Sequence, residues 1–194
     1  VYGAHTYFSK CINSVFNNYK DLVIFIIDDK NDPKTKLIIK EAIKEHDINS
    51  SLISLIVNNE NLGFVKSVNK AMSIASSRYE IQFLTILNSD TEITENCIEE
   101  MNITLSLFEK HGATSPRSNN ATIQTFPATR KLKSNDSFLE WKDKHKTLPR
   151  YHIIPTCVGF CMMIKFDLIK KFGFFCENYG KGYNEENDFC MRIN

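Results

Sequence analysis

The sequence is poor in everything that would announce a partner at long range. Lys and Arg number 24 against 23 Asp and Glu, for a net charge of +1. No global field therefore draws the chain to nucleic acid or to an anionic membrane surface. No apolar run approaches the roughly 18 residues that a membrane span needs; the longest before Gly159 is residues 22–27. The six cysteines (Cys11, Cys97, Cys157, Cys161, Cys176 and Cys190) include no C-x-x-C pair. That spacing argues against a zinc framework and makes buried free thiols in a reducing compartment the expectation. G-x-x-x-x-G-K and G-x-G-x-x-G are both missing, which removes the P-loop and dinucleotide-binding readings. Function has to come from a local site.

What is present suits one globular domain: 194 residues, 42% of them apolar, are enough to bury a substantial core. The chain opens at Val1 without an initiator Met or a leader and stops inside an expected helix at Asn194. We read it as a piece of a longer chain, truncated at both ends. The expected location is the cytoplasm, with any membrane association left to segments outside this piece.

Apolar periodicity organises the first half. Phe8, Cys11, Ile12, Val15, Phe16 and Tyr19 form one helical stripe, and residues 22–27 read as a strand covered on both faces. Asp32 and Pro33 supply a cap and a first-turn proline for a helix carrying Ile39, Ala42, Ile43 and His46. The pattern recurs as a strand at 52–57, a helix at 64–76 with Phe64, Val68 and Ala71 inward, and a strand at 81–87. Strands about 30 residues apart with helices between them predict βαβ units in a mostly parallel central sheet flanked by helices. A further helix capped by Thr94 carries Ile98, Met101, Leu105 and Phe108 and closes at Gly112. Residues 115–155 lose periodicity, apart from a short helical candidate at 138–144. A strand at 158–164, a short helix at 166–172 ended by Gly173 and a helix beginning at Glu185 complete the α/β reading. We divide the domain into residues 1–112 and 113–194.

In open parallel sheets ligands bind beyond the carboxyl ends of the strands. That rule selects Asp28 and Asp29 after one strand, and Asn88, Ser89 and Asp90 after another. Singly, each cluster could merely cap the next turn; together they favour a site. Asp90 offers one charged oxygen and Asn88 a neutral one, a set suited to a hard divalent ion shared with a diphosphate. Glu185, Glu186 and Asp188 open a helix, where the macrodipole alone would explain them. Three carboxyls in four positions also repel one another, which raises the pKa of at least one and suits it to act as a general base.

Taken in order, these motifs resemble bacterial family 2 glycosyltransferases of the GT-A fold, over essentially the whole chain. Val1-Tyr2 resembles the end of their Pro-x-Tyr-Asn segment, and Asp28-Asp29 the Val-Asp-Asp pair that touches the nucleoside. Asn61-Leu62-Gly63 followed by Asn69 is similar to their Asn-x-Gly…Asn stretch facing the nucleotide. Leu87-Asn88-Ser89-Asp90-Thr91 resembles the metal motif in an Asn-x-Asp form. Val158-Gly159-Phe160-Cys161 resembles the acceptor-side Gly-Phe segment, and residues 182–189 the acidic catalytic motif. The resemblance implies transfer of a sugar from a nucleoside diphosphate donor to a glycan or lipid-linked acceptor hydroxyl with inversion, in surface polysaccharide or glycan synthesis. It implies Tyr2 and Asp29 at the base, Mg2+ or Mn2+ at Asp90, and Glu186 as the catalytic base ahead of Glu185 and Asp188. The sequence departs from the pattern at Asn88, where Asp is usual, at Val68, where many relatives carry Arg, and at Gly3, where Asn is common.

Two other readings remain. A catalytically silent GT-A-like module would bind a nucleotide or glycan only, but the chain keeps both Asp90 and Glu186. Phosphoryl transfer would use Asp28 and Asp29 after a strand, but needs an Asp-x-Asp or a late Lys that the Pro-rich middle segment does not supply.

Overall fold

The computed structural model describes residues 1–3, 6–19, 22–46, 53–121, 123–125 and 148–194. The expected helix at 138–144 lies outside them. Helix α1 (Phe8–Asn18) leads to strand β1 (Ile24–Asp29), helix α2 (Pro33–His46) and strand β2 (Ile53–Asn58). The first helix forms where the apolar stripe was read, burying Phe8, Cys11, Ile12 and Val15. At the start of α2 the Asp32 carboxylate accepts the amides of Lys34 and Thr35 at 2.9 and 3.1 Å and the Thr35 hydroxyl at 2.7 Å. This is the N-cap the sequence called for. Strands β1 and β2 pair in parallel, with Ile24 opposite Ile53 and Asp29 opposite Asn58. On the other side of β1, Val1 donates its nitrogen to Ile27 and accepts from the Asp29 amide.

Helix α3 (Gly63–Arg78), strand β3 (Phe83–Leu87), helix α4 (Cys97–Leu107) and the short strand β4 (Ala113–Thr114) follow. Strand β5 (Cys161–Lys165), helix α5 (Phe166–Phe172), a 3-10 turn at Glu177–Tyr179 and helix α6 (Glu185–Ile193) complete the order. Helix α4 starts two residues later than expected: Asn96, in the left-handed region at φ 61°, precedes it, and Thr94 contributes only its carbonyl, to the Cys97 amide. Gly173 ends α5 as expected, at φ 82°.

Among the strands of the described residues, β1 and β2 are the pair that runs parallel. Strand β5 lies between β3 and β4 and runs antiparallel to both. Period and spacing identify strands but not the direction in which a strand returns after a long irregular segment. The expected strand at 158–164 also begins later, at Cys161, because Gly159 and Phe160 form a turn.

Strand β5 is the centre of the core, and Cys161, Met162, Met163 and Ile164 are all buried. Alternation sends Met162 and Ile164 to one face, against Val65, Val68, Met72, Phe166 and Phe189. Cys161 and Met163 go to the other, against Val15, Tyr19, Met101 and Leu105. A third cluster joins Phe8 and Ile12 of α1 to Ile26, Ile39 and Ala42. All six cysteines are free thiols, four of them buried. Among the described residues no helix is long and apolar enough to cross a membrane.

A core centred on β5 has a measurable consequence. Met162→Ala should cost about 2–5 kcal/mol of stability, whereas Leu55→Ala, at an exposed strand position, should cost less than about 1 kcal/mol. Urea denaturation of the two variants checks this; equal losses would remove β5 from the centre.

Candidate active site

The carboxyl end of β1 carries two buried carboxylates with different work. Asp28 accepts both the amide and the carboxamide of Asn31, at 2.9 and 2.8 Å, which closes the turn that places Lys30 at φ 57°. Asn31 in turn holds the first residues, donating to the Val1 carbonyl and accepting the Gly3 amide. Tyr2 stands between them with 63% of its surface exposed. Asp29, 5% exposed, accepts the Asn58 carboxamide at 2.9 Å and the Leu62 and Gly63 amides at 2.8 and 2.9 Å. A carboxylate on the first amides of a helix is stabilised by charge-assisted hydrogen bonds and by the helix dipole. Beyond the nucleoside contact implied for them, both side chains are therefore scaffolding.

Gly63 explains the Asn-Leu-Gly motif in physical terms. Its φ is +76°, and a Cβ there would lie 2.7 Å from the backbone Cα of Lys181. The next amide, of Phe64, donates to the Lys181 carbonyl at 2.8 Å. The glycine thus lets the start of α3 touch the Gly180-Lys181-Gly182 loop that leads into α6. Asn61 accepts the Gly63 amide at 3.0 Å.

The Asn69 carboxamide donates to the Phe175 carbonyl at 2.8 Å and accepts the Phe175 amide at 3.1 Å, a two-way clasp of α3 onto the segment before α6. With both ends engaged and 7% of the residue exposed, Asn69 braces this junction.

Beyond β3, Asn88 donates its amide to the Phe160 carbonyl at 2.8 Å, and its own carbonyl accepts the Thr91 amide at 3.1 Å. Asn88 and Ser89 are half-buried in this turn and Asp90 is exposed at its edge. Among the described residues no three His, Cys, Asp or Glu side chains come together as a metal cage.

The acids of α6 are sorted by environment. Asp188 accepts from Arg192 at 2.9 Å, and Arg192 also donates to the carbonyls of Phe172 and Phe174. Of the three acids expected to be catalytic, Asp188 is the one whose carboxylate is paired with a cation. Glu185 is 4% exposed. Burial, reinforced by the neighbouring charge of Glu186, pushes its carboxyl up to about 7. Glu186 faces the acceptor-side segment: a Cβ on Gly159 would lie 4.0 Å from its carboxyl carbon and 3.7 Å from the Phe64 ring. Among the described residues, Oε2 of each glutamate is buried without a hydrogen-bond partner.

Gly159 and Phe160 therefore join the parts. Phe160 carries the Asn88 turn, and Gly159 lies against Glu186 and Phe64. Phe64 follows the glycine whose amide Asp29 accepts. The sequence reading missed Phe64 and Lys181 as parts of this junction, although both lie beside motifs it did use.

Comparison with known proteins bears on the family and the fold. The sequence profile described as Glycosyl transferase family 2 matches residues 1–173. The chain belongs to glycosyl transferase family 2. Among solved structures, this family 2 domain is similar to a mannosyltransferase, PcManGT from Pyrobaculum calidifontis, in complex with GDP-Man and Mn2+. The TM-score is 0.71 at 12% identity, over 100% of this chain and 49% of that one. It is also similar to GalNAc-T7 with UDP, GalNAc and Mn2+, with a TM-score of 0.64 at 13% identity, over 94% of this chain and 36% of that one. These likenesses establish the GT-A-like fold, and the domain spans about half or less of either structure. A search of curated proteins finds no match. The family match ends before α6, so the placing of Glu185 and Glu186 stands on the geometry alone.

The raised carboxyl of Glu185 has a sign. Its folded pKa of about 7 lies above the ordinary 4.5, so the folded chain holds this proton more tightly than the unfolded one. The stabilisation is full below about pH 4.5 and is lost as pH rises to about 7. Glu185→Gln, which cannot ionise, should therefore gain stability relative to the parent between pH 5 and pH 8. Thermal melts of both proteins across that range check it; a constant difference would mean that Glu185 titrates normally.

Proposed function

We propose that this domain transfers a sugar from a nucleoside diphosphate donor to an acceptor hydroxyl, with inversion at the anomeric carbon and Glu186 as the general base. The observation that carries the reading is that the Asn88–Asp90 turn and Glu186 meet adjacent residues: Asn88 donates its amide to the Phe160 carbonyl, and the Glu186 carboxyl borders Gly159. Family membership supports the reaction class. In the division of labour we propose, residues 1–112 hold the donor and 113–194 the acceptor side. Tyr2, Asp28, Asp29, Asn61 and Gly63 line or support the nucleotide end. The acceptor we propose is a glycan or a lipid-linked sugar of surface polysaccharide or glycan synthesis.

Asp90 and Asn88 offer only oxygen donors, too few for a self-sufficient cage. That set fits Mg2+ or Mn2+ held jointly with the donor diphosphate. The ion would supply Lewis-acid stabilisation of the charge that develops on the leaving diphosphate. The chain's own contribution is positional. Asp29 and Gly63 fix the start of α3, the Lys181 contact fixes the loop before α6, and Glu186 is held against Gly159 to accept the acceptor proton. One direct displacement with a base on the acceptor side needs no covalent intermediate.

Glu186→Gln keeps the shape of the side chain and removes its basicity. Turnover should fall by about 10²–10⁴-fold while donor binding persists. Steady-state transfer assays over a panel of nucleoside diphosphate sugars with Mn2+ check this, and wild-type turnover in the variant would move the base elsewhere. A domain that bound nucleotide but left every donor intact would be a binding module. Asp90→Ala should weaken the metal-dependent part of nucleoside diphosphate affinity by about tenfold or more. Calorimetry with and without Mn2+ reads it, and equal affinities in parent and variant would take Asp90 out of the metal site.

A further inference from the structure

Two of the buried thiols meet one another across the seam between residues 157–159 and α6. Cys157 and Cys190 are each 4% exposed and belong to one apolar cluster with Val65, Met162, Phe175 and Phe189. The amide of Cys157 donates to the Cys190 sulfur at 3.4 Å. The Cys157 thiol is three bonds from that nitrogen, and of all the groups around them each thiol feels the other most strongly. Donation from Cys157, by its thiol and its amide, lowers the Cys190 thiol below its ordinary value against burial and the Glu186 charge, which raise it. The same contact, with burial, pushes the Cys157 thiol up. One sulfur of the pair is thus suited to be the nucleophile and the other to keep its proton.

Two thiols in contact, one easily ionised and one not, are arranged for oxidation to a disulfide. We propose that Cys157 and Cys190 are a modification site: hydrogen peroxide joins them reversibly in a disulfide that ties residues 157–159 to α6. The Cys190 thiolate attacks one peroxide oxygen, the O–O bond breaks, and hydroxide leaves, so that Cys190 becomes a sulfenic acid. The Cys157 sulfur then attacks the Cys190 sulfur, the S–O bond breaks, and the departing hydroxide takes the Cys157 proton as water. Two thiols and one peroxide give one disulfide and two waters, with two electrons passing from sulfur to the peroxide. The oxidant is uncharged and close to water in size, and the pair lies just under the surface, since the neighbouring Met191 is 67% exposed. Cys190 shares its face of α6 with Glu186, four residues earlier, and Gly159, two residues after Cys157, borders the Glu186 carboxyl. The bond therefore closes beside the proposed base, and it forms whether or not the domain transfers a sugar.

Peptide mapping tests it. Reduced, folded protein is exposed to a small excess of hydrogen peroxide, unfolded in N-ethylmaleimide, digested and read by mass spectrometry. All but two of the six cysteines should carry the label, and the unlabelled two should be Cys157 and Cys190 in one linked pair of peptides. Dithiothreitol before labelling should restore all six. The same exposure in concentrated urea should lose the preference for this pair. Cys157→Ser removes the resolving thiol, so a sulfenic acid at Cys190 should become trappable by dimedone, whereas Cys190→Ser should leave Cys157 fully labelled. Six labelled cysteines after peroxide would overturn the proposal, as would a disulfide elsewhere while Cys157 and Cys190 stay labelled. An identical linkage pattern from folded and unfolded protein would overturn it too. The map of the parent protein decides by itself if either variant fails to fold.

Discussion

Asp29 buries a full negative charge at the end of β1, and the arrangement of the site begins with how that charge is satisfied. Its oxygens accept from Asn58 on β2 and from the Leu62 and Gly63 amides at the start of α3. A buried carboxylate without such donors would be strongly destabilising. The carboxylate therefore fixes where α3 begins. Helix α3 then reaches the last third of the chain twice, through the Phe64 amide to Lys181 and through Asn69 to Phe175. Both contacts hold the segment leading into α6. The place of Glu186 is thus determined, at several removes, by a hydrogen-bonded charge at the opposite end of the sequence.

The second constraint is strand direction. In an antiparallel pair the end of one strand lies beside the beginning of the other, and Leu87 at the end of β3 is opposite Cys161 at the start of β5. That pairing brings the Asn88–Asp90 turn to Phe160, and with it the proposed metal ligands to the acceptor-side segment. Had β5 run parallel to β3, its first residue would stand at the far end of the sheet from Asn88. The antiparallel return, the part of the topology the periodicity did not predict, is what builds the site.

Legibility in the sequence followed the range of the forces involved. The α1 stripe, the Asp32 cap and the Gly173 stop are set within one or two helical turns, and each is where the pattern put it. The residues around Gly159 were visible only through their resemblance to the family's Gly-Phe segment, since Gly159 falls inside the strand that periodicity predicted. Asn69 and Asp188 were visible as motif letters, but their partners are the Phe175 backbone and Arg192. A letter does not say whether a polar side chain faces a ligand or a loop.

Helix α6 shows how one short acidic run acquires three different chemistries. Successive helical residues point about 100° apart, and residues four apart share a face. Glu185 shares its face with Phe189 and is carried into the core, where burial keeps its proton on to about pH 7. Glu186 shares its face with Cys190, which meets the Cys157 amide, and so looks onto residues 157–159. Asp188 is four residues from Arg192 and is bound by it. The three carboxyls are in this way sorted by their neighbours on one short helix. The charge of Asp188 is meanwhile tied to the cation that fastens α6 to the end of α5.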